Sequence, residues 1–186
     1  METQAEYNRR DREGYFERYF KGVGIDIGCG TDKVTPDCRA WDQTFGHGDA
    51  TLLTGVEDQS FDWVYSSHCL EHLTDAHTAL QNWWRVLKDG GHLVVAVPHR
   101  DLYERKNHLP SLYNPDHKHF WLPVGGEPPC TFGLLDTFRQ AIPQPWQLIS
   151  LRELSSGPVL LPMDRHPAGP YSIEMIVRKG YRARSL

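Results

Sequence analysis

The sequence has few cysteines and no pattern that pairs them. The four are Cys29, Cys38, Cys69 and Cys130, which form no C-x-x-C pair and show no regular spacing. Such a pattern gives no sign of a disulfide framework or a cysteine-rich zinc site. We therefore expect reduced thiols, and we assign Cys29 no nucleophilic role.

Long apolar runs and excess positive charge are also absent. No apolar run approaches the ~20 residues of a membrane helix, and residues 1–20 are too charged for a signal peptide. The formal net charge of −4 argues against nucleic-acid binding through phosphate neutralisation. We therefore expect a cytoplasmic protein that binds neither a membrane nor a nucleic acid.

The chain does contain alternating helix and strand patterns. Gln4–Phe20 and Thr74–Lys88 have the spacing of amphipathic helices, and a DGG turn ends the second. Apolar or β-branched runs predict strands at GVGIDIG, CRAWD, FDWVYSSH and HLVVAVP, with a weak strand end at GDATLL. A helix at Phe132–Ile142 and the strands WQLISLREL and YSIEMIVRK close the chain.

This alternation predicts an α/β fold, doubly wound around a mostly parallel sheet. Ligands of such sheets bind beyond the carboxyl ends of the strands, at a topological switch point. Residues 99–131 follow the HLVVAVP strand and are rich in proline, histidine and aromatics, without a sustained period. We expect them to form an irregular insertion at the same edge of the sheet.

A glycine turn follows the first of these strands. Gly28, Cys29 and Gly30 come directly after GVGIDI, and glycines at such a place let a ligand approach the backbone closely. A dinucleotide fingerprint needs a third glycine where Lys33 stands, which disfavours a nicotinamide oxidoreductase. Asp26 could instead pair with a ligand ammonium group, which a dinucleotide does not possess.

Five motifs in order resemble those of class I S-adenosylmethionine-dependent methyltransferases, nearest to the small bacterial type 11-like group. They are GIDIGCGTDK, AWD, GDATLL, SFDWVYSSHCLEHL and RVLKDGGHLVVAVP. The resemblance covers roughly residues 22–98 and, more loosely, the closing strands. It implies a Rossmann-like fold and S-adenosylmethionine as cofactor, with S-adenosylhomocysteine as product.

The resemblance also implies the residues that hold the cofactor. The glycine turn and its preceding acid would surround the methionine part, and the acid that ends CRAWD would accept from both ribose hydroxyls. Asp49 and Ala50 of GDATLL would contact the adenine. The end of FDWVYSSH would face the sulfonium and the acceptor. The implied cofactor-binding residues are Asp26, Gly28, Cys29, Gly30, Asp42, Asp49, Ala50, Ser66, Ser67 and His68.

Two departures from the family pattern concern the first crossover. Asp32 stands where many members have a third glycine, and only 14 positions separate Gly28 from Asp42, fewer than the usual ~20. The intervening TDKVTPDC cannot hold a normal crossover helix. We predict a short loop there, with one side of the cofactor pocket thinly covered by the N-terminal helix.

With these roles, residues 1–186 are expected to form a single methyltransferase domain, because the length suits one full core but not two. We divide it into four segments. These are a leading helix at 1–21, a cofactor-binding core at 22–98, an acceptor-side insertion at 99–131 and a closing helix and strands at 132–180.

Methyl transfer from a sulfonium is an in-line displacement, in which the protein mainly aligns and desolvates the reactants. An acceptor hydroxyl or amine must also lose a proton, and a histidine is the usual base. In NPDHKHFW we predict His117 as this catalytic base. Tyr113, His119 and Trp121 are predicted to shape the acceptor pocket.

Plainer interpretations compete with these assignments. His117 and His119 can be structural, and a metal site built from Asp116, His117, His119 and another histidine is a weaker alternative, so no metal site is predicted. Glu71 and His72 are expected to cap or hydrogen-bond locally, and Trp83 and Trp84 to lie in the core.

The predicted function is transfer of a methyl group to oxygen or nitrogen of a small-molecule acceptor. A sugar, a nucleotide sugar or a specialised metabolite fits the family resemblance. The alternative is a catalytically silent protein that binds S-adenosylmethionine or a partner but lacks an acceptor base. The oligomeric state is not predicted.

Overall fold

Six strands pair into one mixed sheet in a computed structural model that describes residues 4–143, 145–155, 162–166 and 170–180. Two further short strands pair with each other outside it. The strands are β1 Gly24–Ile27, β2 Arg39–Trp41, β3 Phe61–Ser67, β4 Leu87–Pro98, β5 Phe120–Leu122, β6 Thr131–Gly133, β7 Trp146–Ser155 and β8 Tyr171–Lys179. The helices are α1 Gln4–Arg12, α2 Tyr15–Tyr19, α3 Ala76–Val86 and α4 Leu134–Ala141.

The order of the six-stranded sheet is β2-β1-β3-β4-β8-β7. Strands β1 to β4 are mutually parallel, whereas β8 runs antiparallel to β4 and β7 antiparallel to β8. The sheet order reverses between β1 and β3, whose carboxyl ends therefore lie side by side. This arrangement confirms the predicted α/β fold, including its mostly parallel sheet.

The two faces of the sheet are covered differently. One face packs against α3 and α4, whose buried residues Leu80, Trp83, Leu135 and Phe138 recur at helical spacing. The other face carries Trp63, Tyr65, Val94 and Ile176 and packs against Tyr15, Phe20, Val34 and Cys38. The continuous apolar run of β4 follows from this burial on both sides.

The first crossover holds no helix, as the sequence predicted. Residues 28–38 form turns between β1 and β2, and Val34 and Cys38 of this loop reach the second face of the core. Tyr15 of α2 and Phe20, which follows it, pack beside them. The N-terminal segment therefore covers the face that a crossover helix would otherwise cover.

A buried ion cluster fixes α1 to the sheet. The Glu174 carboxylate of β8 is fully buried and lies 2.7 Å from Arg9, 3.1 Å from Arg10 and 3.1 Å from Arg152. Tyr15 also donates its hydroxyl to it. Burial would raise the pKa of Glu174, but the guanidinium groups outweigh it and lower the pKa. The buried carboxylate is thus held ionised.

The structure corrects three sequence-based boundaries. The leading helix is two helices, because Gly14 takes a left-handed φ of 64° between them. Helix α3 ends at Val86 rather than at Lys88, since Leu87 pairs with Phe61 and begins β4, and the DGG turn therefore lies inside β4.

The predicted strand end at GDATLL is instead a turn. The indole N–H of Trp41 donates to the Asp49 carbonyl at 3.3 Å, and that of Trp83 donates to the Ala50 carbonyl at 2.8 Å. Asp49 Oδ1 accepts from Thr51 N at 2.6 Å. These bonds occupy backbone groups that a strand would use, so the segment does not extend the sheet.

The insertion contains short elements of its own. A π-turn at Arg100–Glu104 follows β4, and β5 and β6 form a parallel pair beyond it. Backbone pairing between His99 and Trp121 ties this pair to the end of β4. Among the described residues, no helix has both the length and the apolar character needed to span a membrane.

Replacing the buried carboxylate tests the cluster on β8. Glu174→Gln leaves the buried Arg10 guanidinium without its anionic partner, which is expected to cost roughly 3–5 kcal/mol of unfolding free energy. Urea denaturation measures this loss. Glu57→Gln, at an exposed position, is the matched control and should change stability by less than about 0.5 kcal/mol. Equal stability of the two variants would show that the cluster does not hold α1.

Candidate active site

The glycine turn lies at the carboxyl end of β1, where the sheet order reverses. Gly28 has a φ of 76° and Gly30 a φ of 54°, values that L side chains rarely adopt. Gly28 N donates to the Trp41 carbonyl at 2.8 Å, and a Cβ on Gly28 would lie 2.5 Å from Cys69 Cβ. Glycine is thus required both by the backbone and by the packing of Cys69.

Asp42 connects the end of β2 to this turn. Its Oδ2 accepts from Gly30 N at 2.9 Å and its Oδ1 from Thr44 N at 2.8 Å. Burial would raise the pKa of Asp42, but these N–H groups outweigh it and lower the pKa. A carboxylate offers about four acceptor positions, so this ionised group can still accept from two hydroxyls.

Asp26 holds the short crossover loop. The side chain is 2% exposed, and its Oδ2 accepts from Val34 N at 2.7 Å. This bond fixes the backbone that follows the glycine turn. Cys29 is buried, and burial raises the pKa of its thiol, which keeps it protonated as expected for a residue without a nucleophilic role.

The end of β3 lies beside the end of β1. Ser66 pairs with Ile27 in the sheet and donates its hydroxyl to the Ile27 carbonyl at 2.9 Å. Ser67 is buried, and His68 then takes a left-handed φ of 53°. A non-glycine residue in this region is strained, and such strain clusters at functional sites. The His68 ring is bound through Nε2 to Ser172 Oγ at 3.0 Å.

Glu71 occupies the centre of a group of histidines that follows β3. Its Oε1 lies 3.6 Å from His68 Nδ1, 3.9 Å from His72 Nε2 and 4.0 Å from His117 Nε2. We call these four residues the Glu71 cluster. The Glu71 side chain is 1% exposed, and neither oxygen accepts a hydrogen bond from another described residue. Burial raises the pKa of Glu71 to about 7.

Two histidines of the Glu71 cluster are each fixed by a further carboxylate. His117 Nδ1 bonds to Glu104, and His72 Nδ1 bonds to Asp116 at 3.0 Å. Burial lowers the pKa of His72 and that of His68, the latter to about 3. The imidazoles of His72 and His68 are therefore neutral. The Nδ1 bonds leave the Nε2 atoms of His72 and His117 on the side of Glu71.

The predicted acceptor residues fall into three surroundings. His117 is 4% exposed and lies in the Glu71 cluster. His119 bonds through Nε2 to the Thr74 carbonyl at 3.2 Å and, with Trp121, lines a separate cavity of about 190 Å³. The Tyr113 hydroxyl bonds to the Arg165 carbonyl at 2.6 Å. Its ring contacts Tyr103, which in turn contacts His117.

Sequence reasoning missed Glu71 and Glu104, and the expectation for Glu71 and His72 was wrong. Neither residue caps locally, since Glu71 faces three imidazoles and His72 bonds to Asp116, 44 positions away. The four-position spacing of His68 and His72 was the sequence signal that could have indicated this cluster. The remaining member of the cluster, His117, comes from the insertion. Lys118 N, next to it, donates to the Glu71 carbonyl at 2.7 Å.

With this geometry described, comparisons with known proteins identify the class. Residues 15–95 match the family model Methyltransf_11, described as a methyltransferase domain. No curated protein sequence matches the chain. Over residues 15–95 the chain therefore matches a methyltransferase domain, and the fold and the glycine turn agree with that match.

Several solved structures share the fold across most of the chain. A Thermotoga maritima S-adenosylmethionine-dependent methyltransferase, described as a possible histamine N-methyltransferase, is 16% identical, with a TM-score of 0.55 over 94% of this chain and 95% of that chain. An Archaeoglobus fulgidus methyltransferase is 16% identical, with a TM-score of 0.56 over 95% and 94%. The Bacillus subtilis YcgJ protein is 16% identical, with a TM-score of 0.56 over 91% and 97%.

The segment at residues 15–95 is therefore a methyltransferase domain of the Methyltransf_11 family, on a fold that the solved structures share. Its cofactor is S-adenosylmethionine and its product from that cofactor is S-adenosylhomocysteine. The donor chemistry at the reversal of the sheet order fits this cofactor, because an ionised acid at the end of β2 stands beside a glycine turn.

Two glycines with similar backbone conformations allow the cost of backbone strain to be measured apart from the cost of a steric collision. Gly28 and Gly55 have φ values of 76° and 81°, but a Cβ on Gly55 would meet nothing within 4 Å. Both alanine variants should lose roughly 1–2 kcal/mol through the left-handed backbone, and Gly28→Ala should lose more because it collides with Cys69. Thermal unfolding measures the difference. Equal losses would mean that Cys69 does not restrict the turn.

The raised pKa of Glu71 predicts a pH dependence of stability. A carboxyl group with a pKa of about 7 in the folded chain, against an ordinary pKa of 4.5, stabilises the fold below pH 4.5, and this stability is lost as the pH rises through 7. In buffer free of divalent cations, Glu71→Gln should gain stability relative to the natural chain at pH 8 compared with pH 5. Denaturation at both pH values measures this, with Glu57→Gln as control, and a pH-independent difference would contradict the shift.

Proposed function

We propose that this methyltransferase transfers a methyl group to oxygen or nitrogen of a small-molecule acceptor that binds beside the Glu71 cluster. The observation that carries the proposal is the group of three histidines around one buried carboxylate, Glu71, which follows β3. Cys69, two positions before Glu71, packs on Gly28 of the glycine turn. The acceptor chemistry and the cofactor chemistry would therefore meet at one edge of the sheet.

The cofactor would lie along the ends of β1, β2 and β3. Gly28, Cys29 and Gly30 would border its methionine part, with Asp26 holding the loop that follows, and Asp42 would accept from the ribose hydroxyls. The Asp49–Ala50 turn, whose carbonyls accept from two indoles, would face the adenine. Ser66 and Ser67, at the end of β3, and His68, which follows them, would face the sulfonium. When bound, the cofactor supplies a methyl group on a positively charged sulfur.

On the acceptor side, His117 would act in removing the acceptor proton. Its bond to Glu104 orients the ring and favours the tautomer with a bare Nε2. The Tyr113 ring contacts Tyr103, which in turn contacts the His117 ring. His119 and Trp121 would bind a more distant part of the acceptor in the separate cavity that they line. Burial of His117 excludes competing water from this position.

The proposed acceptor class rests on the family resemblance. A sugar, a nucleotide sugar or a specialised metabolite would carry the hydroxyl or amine that reacts. The Thermotoga maritima neighbour on this fold is described as a possible histamine N-methyltransferase. The four free cysteines support a reducing, cytoplasmic location.

Cofactor affinity tests the placement at β2. Asp42→Asn is expected to weaken binding of S-adenosylhomocysteine by about 1–3 kcal/mol, because the amide loses charge-assisted acceptance from the ribose hydroxyls. Isothermal titration measures this, with Asp37→Asn at an exposed position as control. Unchanged affinity in Asp42→Asn would contradict the placement.

Turnover tests the acceptor side. Methyl transfer to a library of sugars, nucleotide sugars, hydroxylated metabolites and amines should identify a product, and His117→Asn should reduce turnover while sparing affinity for S-adenosylhomocysteine. The exposed His108 provides the matched control, His108→Asn. Tight cofactor binding without transfer to any library member would instead support the catalytically silent alternative.

A further inference from the structure

The Glu71 cluster contains electron-pair donors that face one another with no proton between them. The Nδ1 atoms of His72 and His117 each bond to a carboxylate, which favours tautomers whose Nε2 atoms carry bare lone pairs. These lone pairs point toward an anionic or acceptor oxygen of Glu71, 3.9 and 4.0 Å away. Lone pairs and a carboxylate placed together in a buried space repel unless a cation lies among them.

No hydrogen bond joins Glu71 to the Nε2 atoms of His72 and His117. An N–H···O bond needs a nitrogen-to-oxygen separation of about 2.7–3.2 Å, and the separations to both Nε2 atoms exceed this range. Both Glu71 oxygens lack a hydrogen bond from any other described residue although the side chain is 1% exposed. A buried carboxylate in this state is a ligand group without its ligand.

We infer that Glu71, His72 and His117 bind a divalent transition-metal ion, which in turn binds and ionises a hydroxyl group of the acceptor. One donor atom from each residue lies within 4.8 Å of the other two. Imidazole nitrogens and a carboxylate oxygen are typical ligands of Zn²⁺ and of neighbouring metals in its row. The ion would occupy the position toward which the three donor atoms converge.

The spacing is close to that of a metal-bound site. Bonds of ~2.0–2.2 Å in a tetrahedral geometry set donor separations of roughly 3.4 Å. The separations here are 3.9 and 4.0 Å from Glu71 to the two imidazoles and up to 4.8 Å within the set, so the donors need to approach one another on binding. His72 is 28% exposed and comes from a short 3-10 turn, which allows this movement. His68 Nδ1, 3.6 Å from Glu71, can complete the donor set or leave that position to the acceptor.

The outer partners match those of established metal sites. Metal-bound histidines almost always donate their second ring N–H to a carboxylate, a carbonyl or water, which fixes the ring and raises its basicity. Glu104 holds His117 in this way and in turn accepts from Ser111. Asp116 holds His72. Two carboxylate–histidine pairs directed at one buried carboxylate are a constellation that local packing does not require.

An ion in this position selects a hydroxyl acceptor over an amine, and for this step the inference rests on the proposed function. Two neutral imidazoles and one carboxylate leave the ion with a net positive charge, which favours an ionised oxygen, as it does for metal-bound water. With the Nε2 lone pair of His117 bound to the ion, the hydroxyl proton passes to water instead of to this ring. The oxygen then forms a bond to the methyl carbon as the carbon–sulfur bond breaks, which leaves a neutral thioether. An amine bound to the ion would have no lone pair left to attack.

Metal titration without cofactor or acceptor tests the site itself. The full chain is freed of metal by a chelator, dialysed and titrated with Co²⁺ and with Zn²⁺, with calorimetry and the visible absorption of Co²⁺ as readouts. One ion per chain is expected. His72→Ala and His117→Ala should each weaken binding at least about tenfold, and Asp116→Asn should weaken it by about 10- to 100-fold.

The Asp116 side chain is 66% exposed, so Asp116→Asn is expected to fold. This variant therefore keeps the test decisive if the histidine variants do not fold. The matched control is His108→Ala, at an exposed histidine of the same insertion, and it should bind the ion like the natural chain. Absence of stoichiometric binding would overturn the inference. Equal affinity in the natural chain and in Asp116→Asn, with the histidine variants unchanged or unfolded, would also overturn it.

Parallel measurements separate this inference from the proposed function. Binding of S-adenosylhomocysteine and methyl transfer that both persist in metal-free protein would overturn the metal inference and leave the methyltransferase assignment intact. Loss of transfer to hydroxyl acceptors in chelator, restored by Zn²⁺ or Co²⁺, would support it. Metal binding without transfer to any acceptor would support the ion site but contradict the proposed function.

Discussion

The parallel pairing of β1 with β3 is the constraint on which the remainder of the site depends. It aligns Ile27 with Ser66, so the glycine turn after β1 and the strained His68 after β3 leave the sheet side by side. Every later element of the site is positioned from this edge. Cys69 packs on Gly28, Glu71 follows in the next turn, and the insertion brings His117 to it. A shift in this register would separate the cofactor side from the acceptor side.

The surrounding groups shift the pKa in opposite directions at two buried carboxylates, Glu174 and Glu71. Glu174 is surrounded by three guanidinium groups, which lower its pKa despite complete burial. Glu71 is buried to nearly the same extent, with imidazole nitrogens 3.6 to 4.0 Å away, and burial raises its pKa. The guanidinium groups keep Glu174 ionised and fix α1 to the sheet. At Glu71, burial outweighs the nearby imidazoles.

Much of the fold could be predicted from the sequence because its signals are local. The helical spacing around Leu80 and Trp83, the apolar run of β4 and the glycines after β1 each reflect a nearby cause. The turn at Asp49–Ala50 could not be predicted, since it depends on indole bonds from Trp41 and Trp83. Glu71 was missed for the same reason: its surroundings are set by residues of the insertion, whose path follows no periodic pattern.

The ion cluster at Glu174 has a consequence for how the chain is made. Arg10 and Glu174 are separated by 164 positions, so the second face of the sheet is closed by two segments that are synthesised far apart in time. Until β8 emerges from the ribosome, Tyr15 and Phe20 have no complete surface to cover. Contacts of such long range slow folding, and they make this face the part of the nascent chain that stays open longest to chaperones.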